Sequence, residues 1–542
     1  MAKPSYAYLK VASASGNFTT SYLGVFDEDN YSGDNPTSVT TSDITYTSSS
    51  GELTFSESGA YHILLTQVVQ SDHATAAAQI VRFTVNGVDR YEAQGHVAGA
   101  APNEYDPVER SFQAILEINR GDKLVVRSRG GATGNINILA GSTLVATKIT
   151  SNVYGHFHVS TMPSAFDNGG DGGAAYNPFD LDGNPGMEYS GEINRGITYK
   201  PNDSAAPFHI VTAGRYVVAI NHIFKASTGS SNNAIVIKQG ATALLTQVTK
   251  SRTVDDPTES TTFLILDLPA GASIGATWDW SGTDSGTDGI KAEKGTSFCI
   301  YKLSEDDPEY REGNEQNAYI TVTNNDQQSN SSATIYNPFD ENNYSSANFK
   351  TFASKGISFN SGNGEFKIDQ NTDAKTGYYW AVFAGPLSVK TGDTDISTAD
   401  ISIKVNGTAQ LTIAPKVDTV PDPLDRTASA LLELSPGDVV TVTLLSNNAQ
   451  ELHAEAGCTF SLHRVAVTKF SKTSVKNLIG LDNTINTFAI DNLSAQHAGS
   501  TSEQAPFSAG VGLNLRGRTP VDEDKWPALD QYSFVSIGDK KN

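Results

Sequence analysis

Three copies of one spacing pattern constrain the fold of this chain more than any other feature of its sequence. An Asp-Pro pair occurs three times, as Asp106-Pro107, Asp256-Pro257 and Asp422-Pro423. A Leu-acid-aliphatic triplet begins ten residues after each Asp, and a glycine stands fifteen residues after it, at Gly121, Gly271 and Gly437. Because these spacings agree without an insertion, we infer that one structural unit is written three times in tandem.

The segments around these repeated turns have the character of antiparallel strands. Apolar, β-branched runs of five to eight residues end at Gly, Pro, Asn or Asp. A Gly-x-Tyr motif opens one such run in each copy, at Gly59/Tyr61, Gly214/Tyr216 and Gly377/Tyr379. Several strands in about 150 residues predict a sandwich of two sheets. The predicted fold class is therefore all-β, with three tandem antiparallel jelly-roll sandwiches followed by an irregular C-terminal arm.

The domain boundaries follow from the repeat and from one polar linker. We predict jelly-roll domain 1 at 1–150, domain 2 at 151–304, a linker at 305–316 and domain 3 at 317–470. Residues 471–542 do not repeat the unit, and their apolar residues are scattered. We expect this segment to be an extended arm that gains order by lying along a neighbour, as an anchor or clamp. Anchorage through the N-terminal unit stays open.

Charge and cysteine content exclude several classes of partner and compartment. The chain has 38 Lys and Arg against 60 Asp and Glu, a formal net charge of −22, so we expect no nucleic-acid binding. Its two cysteines, Cys299 and Cys458, form no pair motif, which excludes a disulfide framework. The N-terminus has no apolar signal-peptide region, and no run of 18 apolar residues follows. We therefore expect synthesis in a cytosol and no membrane insertion.

The repeated pattern resembles the trimeric jelly rolls of the tumour-necrosis-factor and complement-globular-head type. The elements that carry the resemblance are a Gly-x-Tyr strand, an Asn-Gly hairpin, a strand–turn–strand segment at 432–440 and a closing Gly-x-x-Phe strand. They span roughly residues 5 to 470. The middle copy departs from the pattern with Gln239 before the hairpin glycine and Ala272 after the turn glycine. The resemblance implies a homotrimer packed around a three-fold axis through one sheet of each chain.

Proteins of this type serve as ligand-binding heads in animals and as capsid or fibre domains in viruses. With three units in a row, no secretion signal and unpaired cysteines, the viral role fits best. We expect a homotrimeric structural virion protein, a head decoration or fibre protein of a tailed bacteriophage, made in the host cytoplasm. It would assemble with other virion proteins through its jelly-roll sheets and its C-terminal arm. The alternatives are an adhesin that binds a host receptor or surface glycan, and a polysaccharide hydrolase.

No sequence motif indicates catalysis, so we predict no catalytic residue, no cofactor and no metal site. Trp278 and Trp280 stand among Gly, Ser and Asp, and exposed tryptophans often anchor partners, so a ligand or receptor contact is one prediction for this pair. The alternative is that one or both rings point inward, as alternating strand residues do. His156 and His158 share one face of a strand and could bind a metal near a three-fold axis, although packed strand residues are the better interpretation. The acidic clusters near 27–29, 180–184 and 340–341 are interpreted as turns rather than calcium sites.

Overall fold

A computed structural model describes residues 5–467, apart from residues 13–15, 32–35, 37, 72–76, 98–107, 132–134, 162–175, 181–187, 202, 204–205, 227–230, 252–257, 281–289, 304–315, 324–334, 345–348, 371–375, 390–396, 418–423 and 447–451. The three Asp-Pro pairs, nearly all of the linker predicted at 305–316 and the arm predicted at 471–542 therefore lie outside the described residues.

The described chain is nearly all β-strand, with three single-turn 3-10 helices at Glu28–Asn30, Ser48–Ser50 and Glu341–Asn343. The strands of the first jelly roll are β1 (Tyr6–Lys10), β2 (Gly16–Phe18), β3 (Leu23–Gly24), β4 (Ser38–Ser42), β5 (Ile44–Thr47), β6 (Glu52–Phe55), β7 (Gly59–Ser71), β8 (Ala77–Val85), β9 (Val88–Val97), β10 (Val108–Ile118), β11 (Lys123–Gly130), β12 (Ile136–Ile138) and β13 (Thr143–Lys148).

The second and third jelly rolls repeat this series of strands. Those of the second are β14 (Tyr154–Thr161), β15 (Glu188–Arg195), β16 (Ile197–Tyr199), β17 (Phe208–Ile210), β18 (Gly214–Ala226), β19 (Ser231–Gln239), β20 (Thr242–Ser251), β21 (Thr258–Leu268), β22 (Ser273–Trp280), β23 (Ile290–Ala292) and β24 (Ser297–Lys302). Those of the third are β25 (Asn317–Val322), β26 (Phe349–Lys355), β27 (Ile357–Asn360), β28 (Glu365–Ile368), β29 (Gly377–Val389), β30 (Ser397–Val405), β31 (Thr408–Ile413), β32 (Lys416–Val417), β33 (Leu424–Leu434), β34 (Val439–Ser446), β35 (Leu452–Ala454) and β36 (Thr459–Val467).

Each jelly roll consists of two antiparallel sheets, which we name the axial sheet and the outer sheet. The axial sheets have the strand orders β2-β12-β7-β13-β1-β4 with β10 beside β7, β15-β14-β24-β18-β21 with β23 beside β18, and β26-β25-β36-β29-β33 with β35 beside β29. The outer sheets have the orders β5-β6-β11-β8-β9 with β3 beside β11, β16-β17-β22-β19-β20, and β27-β28-β34-β30-β31 with β32 beside β30. The predicted all-β class of tandem antiparallel sandwiches is confirmed.

Burial patterns distinguish the two kinds of sheet. In outer strand β34, Val440, Val442 and Leu444 are buried and the residues between them are partly exposed. Axial strand β7 is instead buried along nearly its whole length. A strand with one solvated face alternates, whereas a strand covered on both faces forms a continuous buried run. The runs that open at the Gly-x-Tyr motifs therefore belong to a sheet that is covered on both faces.

The three turn glycines hold the same place in the three sandwiches. Gly121, Gly271 and Gly437 follow β10, β21 and β33, and their φ angles of 87°, 83° and 93° are in the left-handed region. In the first jelly roll, Asn86 Nδ2 donates to Asp122 Oδ1 over 2.7 Å, which ties the hairpin turn to the glycine turn. Asn406 and Asp438 make the same bond over 2.8 Å in the third. The middle copy has Gln239 and Ala272 at these positions, so this side-chain bond has no counterpart there.

The three jelly rolls pack against one another in a cycle. Strands β10, β21 and β33 lie at the centre, and each contacts axial strands of other jelly rolls. The glycines before the closing strands contact the edge hairpin of the jelly roll that precedes their own in the cycle, where a Cβ atom would overlap the neighbour. Gly141 lies against β31, Gly295 against β9 and Gly457 against β20. Residues Met1–Val467 accordingly form one compact unit.

The axial sheets of the three jelly rolls pack against one another within one polypeptide in the described part of the chain. The homotrimer that the resemblance implies, with one sheet of each of three chains around an axis, stays a prediction.

Candidate functional site: the axial interface

We define the axial interface as the contact region of β10, β21 and β33 with the axial sheets and edge hairpins around them. Its centre holds aromatic rings from all three jelly rolls. The ring of His62 lies 4.9 Å from that of Trp380 and 6.2 Å from that of Phe263. Phe263 lies 5.6 Å from Trp380 and 6.0 Å from His463. All four side chains are buried, so these contacts join the three sandwiches around one apolar centre.

Equivalent positions at this centre hold different residues. The third position after the Gly-x-Tyr glycine is occupied by His62, Val217 and Trp380. A second set of equivalent positions, on the adjacent strand, is occupied by Gln113, Phe263 and Ser429. His62 Nε2 lies 3.2 Å from Gln113 Oε1, and Trp380 Nε1 donates to Ser429 Oγ over 2.8 Å. The polar groups are thus paired within their own jelly rolls, and Phe263 contributes the apolar ring between them.

Away from the aromatic centre, the second residue of each central strand is an acid. These residues are Glu109, Glu259 and Asp425, and all three are buried. Ser111 Oγ donates to Glu109 Oε1 over 2.5 Å, and Thr427 N of the third jelly roll donates to Glu109 Oε2 over 2.8 Å. The first carboxyl therefore reaches into the third jelly roll.

The other two carboxyls continue the same cycle. Glu259 of the second jelly roll lies against Gly95 of the first, where a Cβ atom would come within 2.2 Å of Glu259 Oε1. Arg110 Nε is 3.8 Å from the same oxygen. Asp425 of the third jelly roll lies near Ser260 and Thr249 of the second, whose hydroxyls lower the pKa of its carboxyl. Each carboxyl thus enters the jelly roll that precedes its own in the cycle.

Burial raises the pKa of these three carboxyls well above its ordinary value. It raises the pKa of Glu109 to about 7, against the opposing effects of the Ser111 hydroxyl and the Arg426 guanidinium. It raises the pKa of Glu259 to about 8, with Arg110 lowering it and Glu109 raising it further. It raises the pKa of Asp425 to about 7. Removal from water is the dominant cause in all three.

Burial lowers the pKa of four histidines, the opposite direction to that of the carboxyls. Burial lowers the pKa of His62, His222 and His463 to about 3, and that of His158 to about 4. These imidazoles are therefore neutral at physiological pH. Burial also raises the pKa of the thiols of Cys299 and Cys458 well above its ordinary value, so neither is an activated nucleophile.

The predicted contact residue Trp278 is not on the surface, which corrects that prediction. It is 1% exposed, its Nε1 donates to His222 Nδ1 over 2.7 Å, and its ring lies 5.2 Å from that of Phe224. Residue 278 faces inward because side chains alternate along β22, and the inward face fills the core of the second jelly roll. Trp280 ends the same strand, opposite Asn233, but its side chain lies outside the described part of the chain.

His156 and His158 lie where the first and second jelly rolls meet. Their rings are 5.3 Å apart, and His158 is 5.2 Å from the ring of Tyr91 of the first jelly roll. The Tyr91 hydroxyl donates to the carbonyl of Gly295 over 2.7 Å. Among the residues that the structure describes, no three His, Cys, Asp or Glu side chains form a metal-binding group. The two histidine rings pack in the contact between the first two jelly rolls.

The acidic clusters at the start of two copies form turns. Asp27 Oδ1 accepts a hydrogen bond from Asp29 N over 3.1 Å, and Asp340 Oδ1 accepts one from Asn342 N over 3.0 Å. Each aspartate caps a single-turn 3-10 helix in this way. In the cluster at 180–184, only Asp180 is described, and its N–H donates to the carbonyl of Asn177 over 3.2 Å.

The three carboxyls of the axial interface were missed at the level of sequence, although a signal for them is present. Each stands three residues after the Asp of an Asp-Pro pair, giving Asp-Pro-x-Asp/Glu three times. The repeated Asp-Pro pair predicts a turn, whereas the acid two residues after the Pro is the second residue of the buried strand. An acid in the same place in every copy of a buried strand is the pattern that would have revealed them.

The fold and this interface define an all-β protein of tandem antiparallel sandwiches joined through their axial sheets. No family model matches the sequence, and no curated protein matches it. Among solved structures, the chain is similar to the Eiger TNF of S. frugiperda, with 14% sequence identity and a TM-score of 0.21. The match covers 28% of this chain and 95% of that one. In the described part of the chain, no helix has the length and apolar character of a membrane span.

Proposed function

We propose that this chain is a structural protein of a virion, a head decoration or fibre protein of a tailed bacteriophage, and that one chain forms a complete trimer-like head. The observation that carries the proposal is the axial interface. Its buried centre, its interlocked carboxyls and its three glycine contacts join three sandwiches into one unit. A chain built in this way is suited to presenting an assembled β surface rather than to holding a reactive group.

The proposal replaces the expected homotrimer by a single-chain head. The axial sheets, which the homotrimer would have used between chains, are covered within the chain. Attachment to other virion proteins would then use outer surfaces of the jelly rolls and the segment 471–542. An adhesin that presents the same head to a host receptor or glycan is the competing function.

The native mass of the purified protein tests the single-chain head. We expect the mass of one chain at micromolar concentration and neutral pH, because the described axial sheets pack against one another within the chain. A mass of three chains would contradict the single-chain head and restore the homotrimer.

Quantitative mass spectrometry of purified particles tests the virion role separately. We expect many copies per particle for a decoration protein and a handful for a fibre. Absence of the chain from purified particles would contradict the virion function. Binding to whole host cells, measured on the same protein without particles, would then favour the adhesin.

A further inference from the structure

We propose that Glu109, Glu259 and Asp425 form a proton-operated latch of the axial interface, which stabilises the contact between the three jelly rolls while the carboxyls are protonated and loosens it when they ionise. Each carboxyl belongs to one jelly roll and is buried against the jelly roll that precedes its own in the cycle, so the three occupy every seam. Loss of their protons therefore affects all three seams together.

The charge balance at these seams determines the direction of the effect. Three carboxyls face two guanidinium groups, those of Arg110 and Arg426. Arg110 Nε is 3.8 Å from Glu259 Oε1, and Arg426 Nη1 donates to the carbonyl of Asp425 over 2.7 Å. If every carboxyl ionised, one buried negative charge would lack a compensating cation. Such a charge is costly to bury, so the closed interface retains a proton or opens.

The other titratable groups beside the latch do not supply the missing positive charge. Tyr91 interacts with Glu259, and Cys458 interacts with Asp425. Burial raises the pKa of both groups, so both stay neutral in the range where the carboxyls titrate. Proton loss from the carboxyls is therefore the change that alters the charge of these seams.

The raised pKa values set the direction and the range of the pH dependence. A carboxyl that is protonated in the closed interface and has a pKa of about 4 when exposed stabilises the closed form fully below pH 4. That contribution decreases as the pH rises above 4 and is lost once the pH passes about 7 to 8, the values for the three carboxyls. Between about pH 4 and these values, each proton lost on opening raises the opening equilibrium constant by up to about tenfold per pH unit, and above them the constant levels off.

The histidines of the axial interface act in the opposite direction. His62 and His463 have pKa values lowered to about 3, so the closed form is favoured above the exposed value of about 6.5 and weakened as the pH falls below it. Between about pH 4 and pH 6.5 the histidines and the carboxyls therefore have opposing effects on opening. Above pH 6.5 only the carboxyls change the opening equilibrium, so the effect of a carboxyl variant is measured there.

The two native thiols report the opening of different seams. On β24, Phe298 stacks within the second sandwich against Phe208, whereas its neighbour Cys299 faces the first jelly roll near Ile115. Cys458 follows Gly457, which contacts β20 of the second jelly roll, and it lies near Asp425. Both thiols are fully buried. A thiol reagent therefore reacts with Cys299 when the seam between the first two jelly rolls opens, and with Cys458 when the seam between the last two opens.

The experiment measures labelling of both thiols in the full-length chain from pH 5 to pH 9.5. Each rate is divided by the rate for the same chain in denaturant at the same pH, which removes the effect of thiolate formation. Circular dichroism at each pH follows the total strand content. We expect relative labelling of Cys299 to rise on the order of tenfold between pH 7 and pH 9 with no loss of strand content.

Neutral variants identify the groups responsible. Glu259→Gln should lose most of the rise in Cys299 labelling between pH 7 and pH 9. Asp425→Asn should lose most of the rise in Cys458 labelling between about pH 6.5 and pH 8, and it provides the test if the first variant does not fold. Glu433→Gln is the matched control, because Glu433 is an exposed carboxyl on the same strand as Asp425, and it should keep the parent profile.

Three outcomes would overturn the latch. Relative labelling in the parent could stay flat between pH 7 and pH 9.5. Both neutral variants could retain the full alkaline rise. Labelling could also rise only together with loss of strand content, which would show unfolding of the sandwiches rather than opening of their seams. None of these outcomes bears on whether the chain belongs to a virion.

Discussion

At the scale of single residues, Trp278 shows how far position within a strand outweighs residue type. An indole among Gly, Ser and Asp predicts a surface contact, yet here the ring fills a core and donates to His222. The sequence does not reveal on which face of β22 position 278 lies, because the apolar alternation of that strand is short. The neighbouring Trp280 keeps its predicted contact role as a prediction.

We expect Trp278→Ala to destabilise the second jelly roll by about 3–5 kcal/mol, since it removes a large buried ring and leaves a cavity. Trp278→Phe should destabilise it less, mainly by leaving His222 Nδ1 without its donor. Thermal unfolding of purified variants gives the comparison, with Ile335→Ala as a control at a position that is 54% exposed. Unchanged stability in Trp278→Ala would contradict the buried placement.

At the scale of elements, the repeated spacings allowed the strands and their turns to be predicted, because these depend on neighbours in sequence. Gly121, Gly271 and Gly437 meet a local requirement for positive φ, and spacing alone was enough to single them out. The contacts of Gly141, Gly295 and Gly457 with the preceding jelly roll of the cycle could not be predicted in the same way. Their partners are more than a hundred residues away, so no local pattern encodes them.

A comparison of alanine variants at Gly271 and Gly295 distinguishes the cost of backbone strain from the cost of a lost contact between jelly rolls. Both Gly271 and Gly295 have positive φ, but a Cβ atom at 271 meets nothing within 4 Å, whereas one at 295 would lie 2.3 Å from Ala93 Cβ. Gly271→Ala should therefore cost only the strain of about 1–2 kcal/mol. Gly295→Ala should cost about 1–3 kcal/mol more through overpacking against the first jelly roll.

Thermal unfolding measures the total cost, and relative labelling of Cys299 at neutral pH measures the seam. Only Gly295→Ala is expected to increase the labelling. Equal labelling in the two alanine variants would show that the 295 contact does not hold the seam closed.

At the scale of the whole molecule, the resemblance to trimeric jelly rolls led to the expectation of three chains around one axis. Because the sequence contains three copies of the unit, the three sandwiches of one chain could equally take the positions of the three chains. What the sequence could not settle was whether the copies fit each other, since this depends on shape at positions such as Val217 and Trp380. These equivalent positions hold one small and one large side chain, which favours packing between different copies over packing between identical copies. Three indoles at this position would overpack the centre, and three valines would leave a void.

If the seams hold the jelly rolls together, the covalent linkers should be dispensable once folding is complete. A protease site inserted in the predicted linker 305–316 allows the third jelly roll to be cut from the first two in the folded full-length chain. We expect the cut chain to keep its native mass at neutral pH. The contacts that bridge the cut include Thr143 Oγ1 donating to the Ser429 carbonyl over 3.1 Å, Tyr6 against Tyr378 at 4.6 Å, and Gln247 Nε2 donating to the Gly457 carbonyl over 3.1 Å.

The same cut in a Trp380→Val background supplies the sensitive comparison. Loss of the indole leaves a void among His62, Phe263 and His463, so the fragments should separate at a lower dilution than those of the parent. Native mass spectrometry across a dilution series measures both, with uncut chains as controls. Separation of the parent fragments at micromolar concentration would mean that the linker, rather than the axial interface, keeps the three sandwiches together, and the single-chain head would lose its physical basis.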